Sequence, residues 1–124
     1  MRGGRPNRAL RKARIFELAK GFFGKRKNCY SIAVRAVHKK LQYQYVSRRL
    51  KKRDMRKLWI TRINIAAREH NIGYSYFAAV MAREDILLNR KVLSELSIHE
   101  PRSFQSIAEL AKRRVEDGLL AAIM

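Results

Sequence analysis

Acidic residues are what this sequence most lacks: 10 Asp+Glu stand against 29 Lys+Arg in 124 residues, a formal net charge of +19. Self-repulsion of that size works against a compact state unless a polyanion offsets it, so a permanent anionic partner is implied. Cysteine is nearly absent as well. The single Cys29 rules out an intrachain disulfide framework and is most simply a small packing residue, while His38, His70 and His99 are too scattered to form a zinc cluster. No apolar run reaches the roughly 18 residues that a membrane span requires, and the opening residues lack the apolar stretch of a secretory signal. A soluble intracellular protein with no metal, no cofactor and no membrane partner is expected.

Catalytic patterns are missing too. There is no nucleophile elbow, no phosphate-binding glycine loop, and no grouping of Ser, His and carboxylate that position supports. The chain therefore reads as a binding protein rather than an enzyme, without a small-molecule substrate.

What is present is distributed unevenly. Residues 1–57 carry 20 Lys+Arg against only Glu17 and Asp54, whereas residues 58–124 carry nine against eight acids. A near-neutral segment with recurring apolar positions can fold alone; one with this excess of like charge can hardly bury enough surface to offset its repulsion and chain entropy. The expected organisation is a basic arm over 1–57 and a globular head over 58–124.

Periodicity makes both parts helical. Gly3-Gly4-Arg5-Pro6 reads as an extended tail, because paired glycines cost backbone entropy and Pro6 restricts its predecessor. From Asn7, a possible N-cap, good helix formers run to Lys20 with apolar Leu10, Ile15 and Leu18, ending near Gly21 and Gly24. Between about Asn28 and His70 neither Gly nor Pro interrupts, and Tyr30, Val34, Val37, Leu41 and Tyr45 recur at helical spacing. Cations cover every face from Ser47 to Lys57, so repulsion at i,i+4 makes that stretch the place where a bend would fall.

In the head, Trp59, Ile63, Ala66 and Ala67 form an apolar stripe, and Asn71-Ile72-Gly73 is a stop with Gly73 free to take positive φ. Ser75 is expected to cap a helix that buries Phe77, Val80 and Met81 and ends near Leu87 or Leu88. Asn89 caps the next, carrying Val92, Leu93 and Leu96. Glu100-Pro101 opens the last, with Phe104, Ile107, Ala108 and Ala111 inward. The fold class is therefore all-α: a long basic helical arm and a small four-helix head.

The arm's cations are clustered: Arg2 and Arg5 in the tail; Arg8, Arg11, Lys12 and Arg14 on the first helix; then Lys20, Lys25, Arg26 and Lys27. Arg35, Lys39 and Lys40 follow on the long helix, and then Arg48, Arg49, Lys51, Lys52, Arg53, Arg56 and Lys57. Guanidinium forks grip phosphate in two places and stack on bases, while ammonium groups act as mobile point charges, a mixture suited to nucleic-acid backbone. Tyr43, between basic clusters, suits base stacking as well as it suits packing, and Phe22 and Phe23 beside Lys25 give a weaker signal of the same kind. Tyr45 and Trp59 read as packing residues. Arg62 and Arg68 extend the basic surface or are ordinary surface charges.

A different class competes: a DNA-binding nucleoid or transcription-associated protein whose head is a helix-turn-helix. Its candidate recognition helix, Ser75 to Glu84, offers little beyond Arg83 for reading bases.

The run Arg48-Arg49-Leu50-Lys51-Lys52-Arg53-Asp54-Met55-Arg56-Lys57-Leu58-Trp59-Ile60-Thr61-Arg62-Ile63-Asn64, continuing through Ala66-Ala67-Arg68, resembles ribosomal large-subunit protein twenty of the bacterial numbering. The resemblance resumes at Ala19-Lys20-Gly21-Phe22-Phe23-Gly24, at Gly73-Tyr74-Ser75 and from Asn89 to Leu96. It implies a helical arm threaded through large-subunit rRNA, a helical head on the rRNA surface, a role in subunit assembly, and neighbouring large-subunit proteins as further partners. Arg48, Arg49, Lys51, Lys52, Arg53, Arg56, Arg62, Asn64 and Arg68 are the rRNA contacts it carries over. Lys27-Asn28-Cys29 and the stretch from Leu96 to Phe104 look like the mitochondrial branch, which implies the ribosome of the mitochondrial matrix, with a bacterial cytoplasm or a plastid as the alternative.

Overall fold

The structure, a computed structural model, describes residues 7–123; Arg2 and Arg5 lie outside the described residues. Every regular element among the described residues is helical. In chain order these are α1 (Arg8–Leu18), a 3-10 turn (Gly24–Lys27), α2 (Tyr30–Glu69), α3 (Tyr74–Arg83), α4 (Arg90–His99) and α5 (Pro101–Ile123). The chain divides into two compact units, Met1–Leu50 and Lys51–Met124, with the boundary inside α2. Packing thus divides the chain within the cationic stretch of α2, a few residues before the point where the charge balance changes.

In the first unit, Asn7 caps α1 by accepting a 3.2 Å hydrogen bond from the Ala9 amide, satisfying one of the orphan donors of the first turn. At the other end, the Lys40 ammonium donates to the Leu18 carbonyl at 2.8 Å. A cation there answers both the unpaired carbonyl and the negative pole of the helix. Gly21 and Gly24 take φ of +84° and +62° in the reversal that follows. A Cβ at either glycine would meet nothing within 4 Å, so the requirement is for backbone conformation rather than space. The reversal packs α1 on the start of α2 over a small core of Ala19, Ala33 and Val37, with Ile15, Phe16 and Phe22 against it.

α2 is helical over 40 residues, the cationic stretch from Ser47 to Lys57 included. Its apolar stripe is only half used: Val37 is buried and Tyr30 and Val34 are partly covered, but Leu41 and Tyr45 are exposed. Cys29 is exposed as well, contrary to the packing role expected of it, because it lies just ahead of the first turn of α2 and outside the small core.

The second unit holds the larger core: Ile63 and Ala67 from α2, Ile72 from the following turn, Phe77, Val80 and Met81 from α3, Leu93 from α4, and Phe104, Ala108 and Ala111 from α5. α5 packs against both α3 and α4, and the Phe77 and Phe104 rings stack with centroids 5.5 Å apart. Trp59 is only partly buried and stays outside this core.

Three boundaries differ from expectation, each for a local reason. At the end of α2 the left-handed residue is Asn71 (φ 60°), not Gly73. Ile72 N–H bonds to Ala67 C=O at 3.1 Å and Asn71 N–H to Arg68 C=O at 3.0 Å, a Schellman closure that drops Ile72 into the core. Gly73 is left extended (φ −80°) as the N-cap of α3, so that helix starts at Tyr74 and Ser75 falls inside its first turn. α3 ends at Arg83, earlier than Leu87, because Asp85 also turns left-handed (φ 50°) and the Ile86 amide closes back on Met81. The remaining starts hold: Asn89 accepts from the Val92 amide at 2.9 Å, and α5 opens on Pro101. Val92 is 39% exposed rather than buried, leaving Leu93 as the buried apolar residue of that turn.

Candidate nucleic-acid interface

The expected contact residues meet different fates in the first unit. Arg8, Arg11, Arg14, Lys20, Lys25, Arg26, Lys27, Arg35 and Lys39 are exposed, whereas Lys12 and Lys40 are partly buried. Lys12 lies over the Tyr30 ring at 5.6 Å, and Lys40, while bonded to Leu18, lies over Phe22 at 5.3 Å. These two ammonium groups help to hold α1 on α2. Lys39 sits 4.9 Å above the ring of Tyr43, an exposed residue that belongs to no core. Tyr45, expected to pack, is 56% exposed; its ring lies under the Arg49 guanidinium at 5.2 Å, and its hydroxyl accepts from Arg49 Nη2 at 3.2 Å. That pair orders a cation on a bare helix face instead of burying the ring.

Every residue from 41 to 54 is exposed, including Leu41, Val46 and Leu50 as well as Arg48, Arg49 and Arg53. In the second unit Lys51, Lys52, Arg56 and Lys57 are exposed, Arg62 and Asn64 are partly buried, and Arg68 is exposed. Asn64 Oδ1 accepts from Arg68 Nε at 3.3 Å, so these two expected contacts form one polar group on α2.

Among the described residues the Arg or Lys side chain paired with a carboxylate is Arg114, with Glu84 at 3.0 Å, and His99 Nε2 lies 3.4 Å from Glu95; both contacts are in the second unit and outside the expected interface. The cations of α1, of the 3-10 turn and of α2 thus have no carboxylate partner among the described residues. A surface of this kind offers forked and point-like donors to phosphate, with exposed aromatic and aliphatic groups between them for bases and sugars. No group of His, Cys, Asp and Glu among the described residues is placed to hold a metal ion, and no helix there is long and apolar enough to cross a membrane.

One feature escaped sequence reasoning. The Gly21 to Gly24 reversal leaves Phe23 94% exposed while Phe22 packs inward, although the two adjacent rings read alike in the sequence. The signal was the pair of flanking glycines, since outside a helix no face exists to hide both rings.

Exposed cations without a carboxylate partner among the described residues, and a second unit closed by an apolar core, suit a structural protein that binds a polyanion. Comparison with known proteins makes this specific: the family described as Ribosomal protein L20 matches residues 3–107, and this chain belongs to it. It is a structural, non-enzymatic component of the large ribosomal subunit, which removes the DNA-binding reading. Among its relatives, the large ribosomal subunit protein bL20m of Xenopus laevis is 43% identical over 118 residues, 95% of this chain and 79% of the relative. The bL20 proteins of Thermoanaerobacter pseudethanolicus and Methylobacterium radiotolerans are 46% identical over 105 residues and 50% over 99, covering 85% and 80% of this chain and 88% and 79% of their own.

Proposed function

We propose that residues 1–57 are an arm inserted among large-subunit rRNA strands, that residues 58–124 are a head seated by shape, and that the ribosome concerned is mitochondrial. The observation that carries the arm is the uncovered stretch of α2, in which apolar and cationic side chains are exposed together and no cation has a carboxylate partner among the described residues. Exposed aliphatic groups on a lone helix face are a cost in water. Among RNA strands they are covered while the phosphates release their counterions. Arg48, Arg49, Lys51, Lys52, Arg53 and Arg56 are the principal phosphate contacts, with the Asn64–Arg68 group and Arg62 continuing the surface toward the head. The mitochondrial assignment rests on the frog bL20m relative, whose match extends over more of this chain than those of the bacterial relatives described above.

Sedimentation of the tagged protein from lysate, with RNA crosslinking and sequencing, tests all three parts. The expected result is recovery in the large subunit, with crosslinks from residues 48–57 to mitochondrial large-subunit rRNA. Crosslinks confined to residues beyond 58 would remove the arm; crosslinks to bacterial or plastid rRNA would move the compartment.

A further inference from the structure

The first unit contains a cleft of about 650 Å³ between the Gly21 to Gly24 reversal and the neighbouring face of α2. Phe23 and Tyr43, both largely exposed, line it together with Arg26, Arg35, Lys39 and Lys40. We propose that this cleft takes a single unpaired nucleobase of the bound RNA, held by stacking on Phe23 or Tyr43 while the cations hold the flanking phosphates. The proposal rests on the RNA-binding reading above and adds to it a site for a base.

Three observations favour this occupant. The volume lies in the range of small-ligand sites, about 300–1,000 Å³, and is ample for one nucleotide. Stacking on an aromatic ring is the usual way a protein holds an unstacked base; Lys39 covers one face of Tyr43 at 4.9 Å, which leaves the other face or the Phe23 ring for the base and an ammonium nearby for its phosphate. The charge is also one-sided: residues 18–53 contain no acid, and none lines the cleft. An apolar side chain from a neighbouring protein would fill the space but leave Arg26, Arg35 and Lys39 uncompensated. A nucleotide brings its anion with its ring.

The test uses the full chain and two short RNA hairpins, one with a single bulged adenosine and one with an abasic residue at the bulge, so that only the base differs. Tighter binding of the adenosine hairpin by about 5- to 150-fold is expected, the range for stacking one base on an aromatic ring. In the Phe23→Leu/Tyr43→Leu variant, which keeps apolar bulk but removes both π faces, the ratio should fall towards one. Because both positions are exposed, circular dichroism should show the helices retained.

Equal affinity of the unaltered protein for the two hairpins would overturn the nucleobase site, leaving the cleft to an apolar side chain, while salt-dependent binding of both would keep the RNA reading intact. A preference that survives in the double variant would place the base elsewhere. Failure to bind either hairpin would overturn the proposal and the RNA reading together.

Discussion

The two units of this chain bury apolar surface on very different scales. Among the described residues, the core of the second assembles ten buried residues from four helices and the turn after α2, with Phe77 stacked on Phe104; that of the first holds Ala19, Ala33 and Val37. A buried Phe or Ile side chain contributes about 1.5–3 kcal/mol against exposure, while alanines contribute far less. The head can therefore fold by its own core. The first unit depends on small supports instead: one N-cap, a lysine on a helix C-terminus and cation–π contacts, each worth on the order of 1 kcal/mol or less. From Leu41 to Asp54, where every residue is exposed, the helix has little to hold it except backbone propensity, against a row of like charges.

The largest effect comes from truncating the core of the second unit. Phe104→Ala should cost about 3–5 kcal/mol in denaturant unfolding followed by Trp59 fluorescence, because a cavity opens beneath Phe77. Val37→Ala, the same kind of change in the smaller core, should leave that transition nearly in place. Equal shifts would mean that the units unfold as one.

Next in size is the effect of charge on binding. Replacing Arg48, Arg49, Arg53 and Arg56 together by Gln should lower the slope of log affinity against log salt for an rRNA fragment by about 3, at roughly 0.7–0.9 per lost phosphate contact. Unfolding of the head should be unchanged, since none of the four is buried. An unaltered slope would mean that these residues do not touch phosphate.

The smallest effects come from the caps. Asn89→Ala removes the bond to the Val92 amide and should cost about 1 kcal/mol of head stability. Asn7→Ala removes the equivalent bond in α1. Its effect should appear only as faster amide exchange in the first turn of that helix, with no change in global unfolding.

How much of this was legible in the sequence follows the same division. Helix periods, the Asn7 and Asn89 caps, the Pro101 start and the inward faces of α3 and α5 depend on residues within a turn of one another, and all appear in the structure. The turns were harder, because Asn71 and Asp85 adopt left-handed conformations that glycine usually takes, and adjacent glycine or leucine residues drew the boundaries away from them. In the interface, residue type identified the cations but not their commitments: that Lys40 closes α1 or that Lys12 covers Tyr30 are long-range facts with no local signature, whereas Tyr45 and Arg49 stand four residues apart on one helix, a spacing that does carry their contact. Phe22 and Phe23 could be separated only by a backbone path set by two glycines.

Amide hydrogen exchange on the full chain, free and bound to large-subunit rRNA, separates a helix that stands alone from one that rRNA completes. Slow exchange around Ile63, Phe77, Leu93 and Phe104 in both states, with residues 41–57 exchanging fast when free and slowly when bound, is the expected result. Residues 41–57 as well protected without RNA as the head's core would contradict it, showing that the bare helix is stable by itself and owes nothing to insertion among rRNA strands.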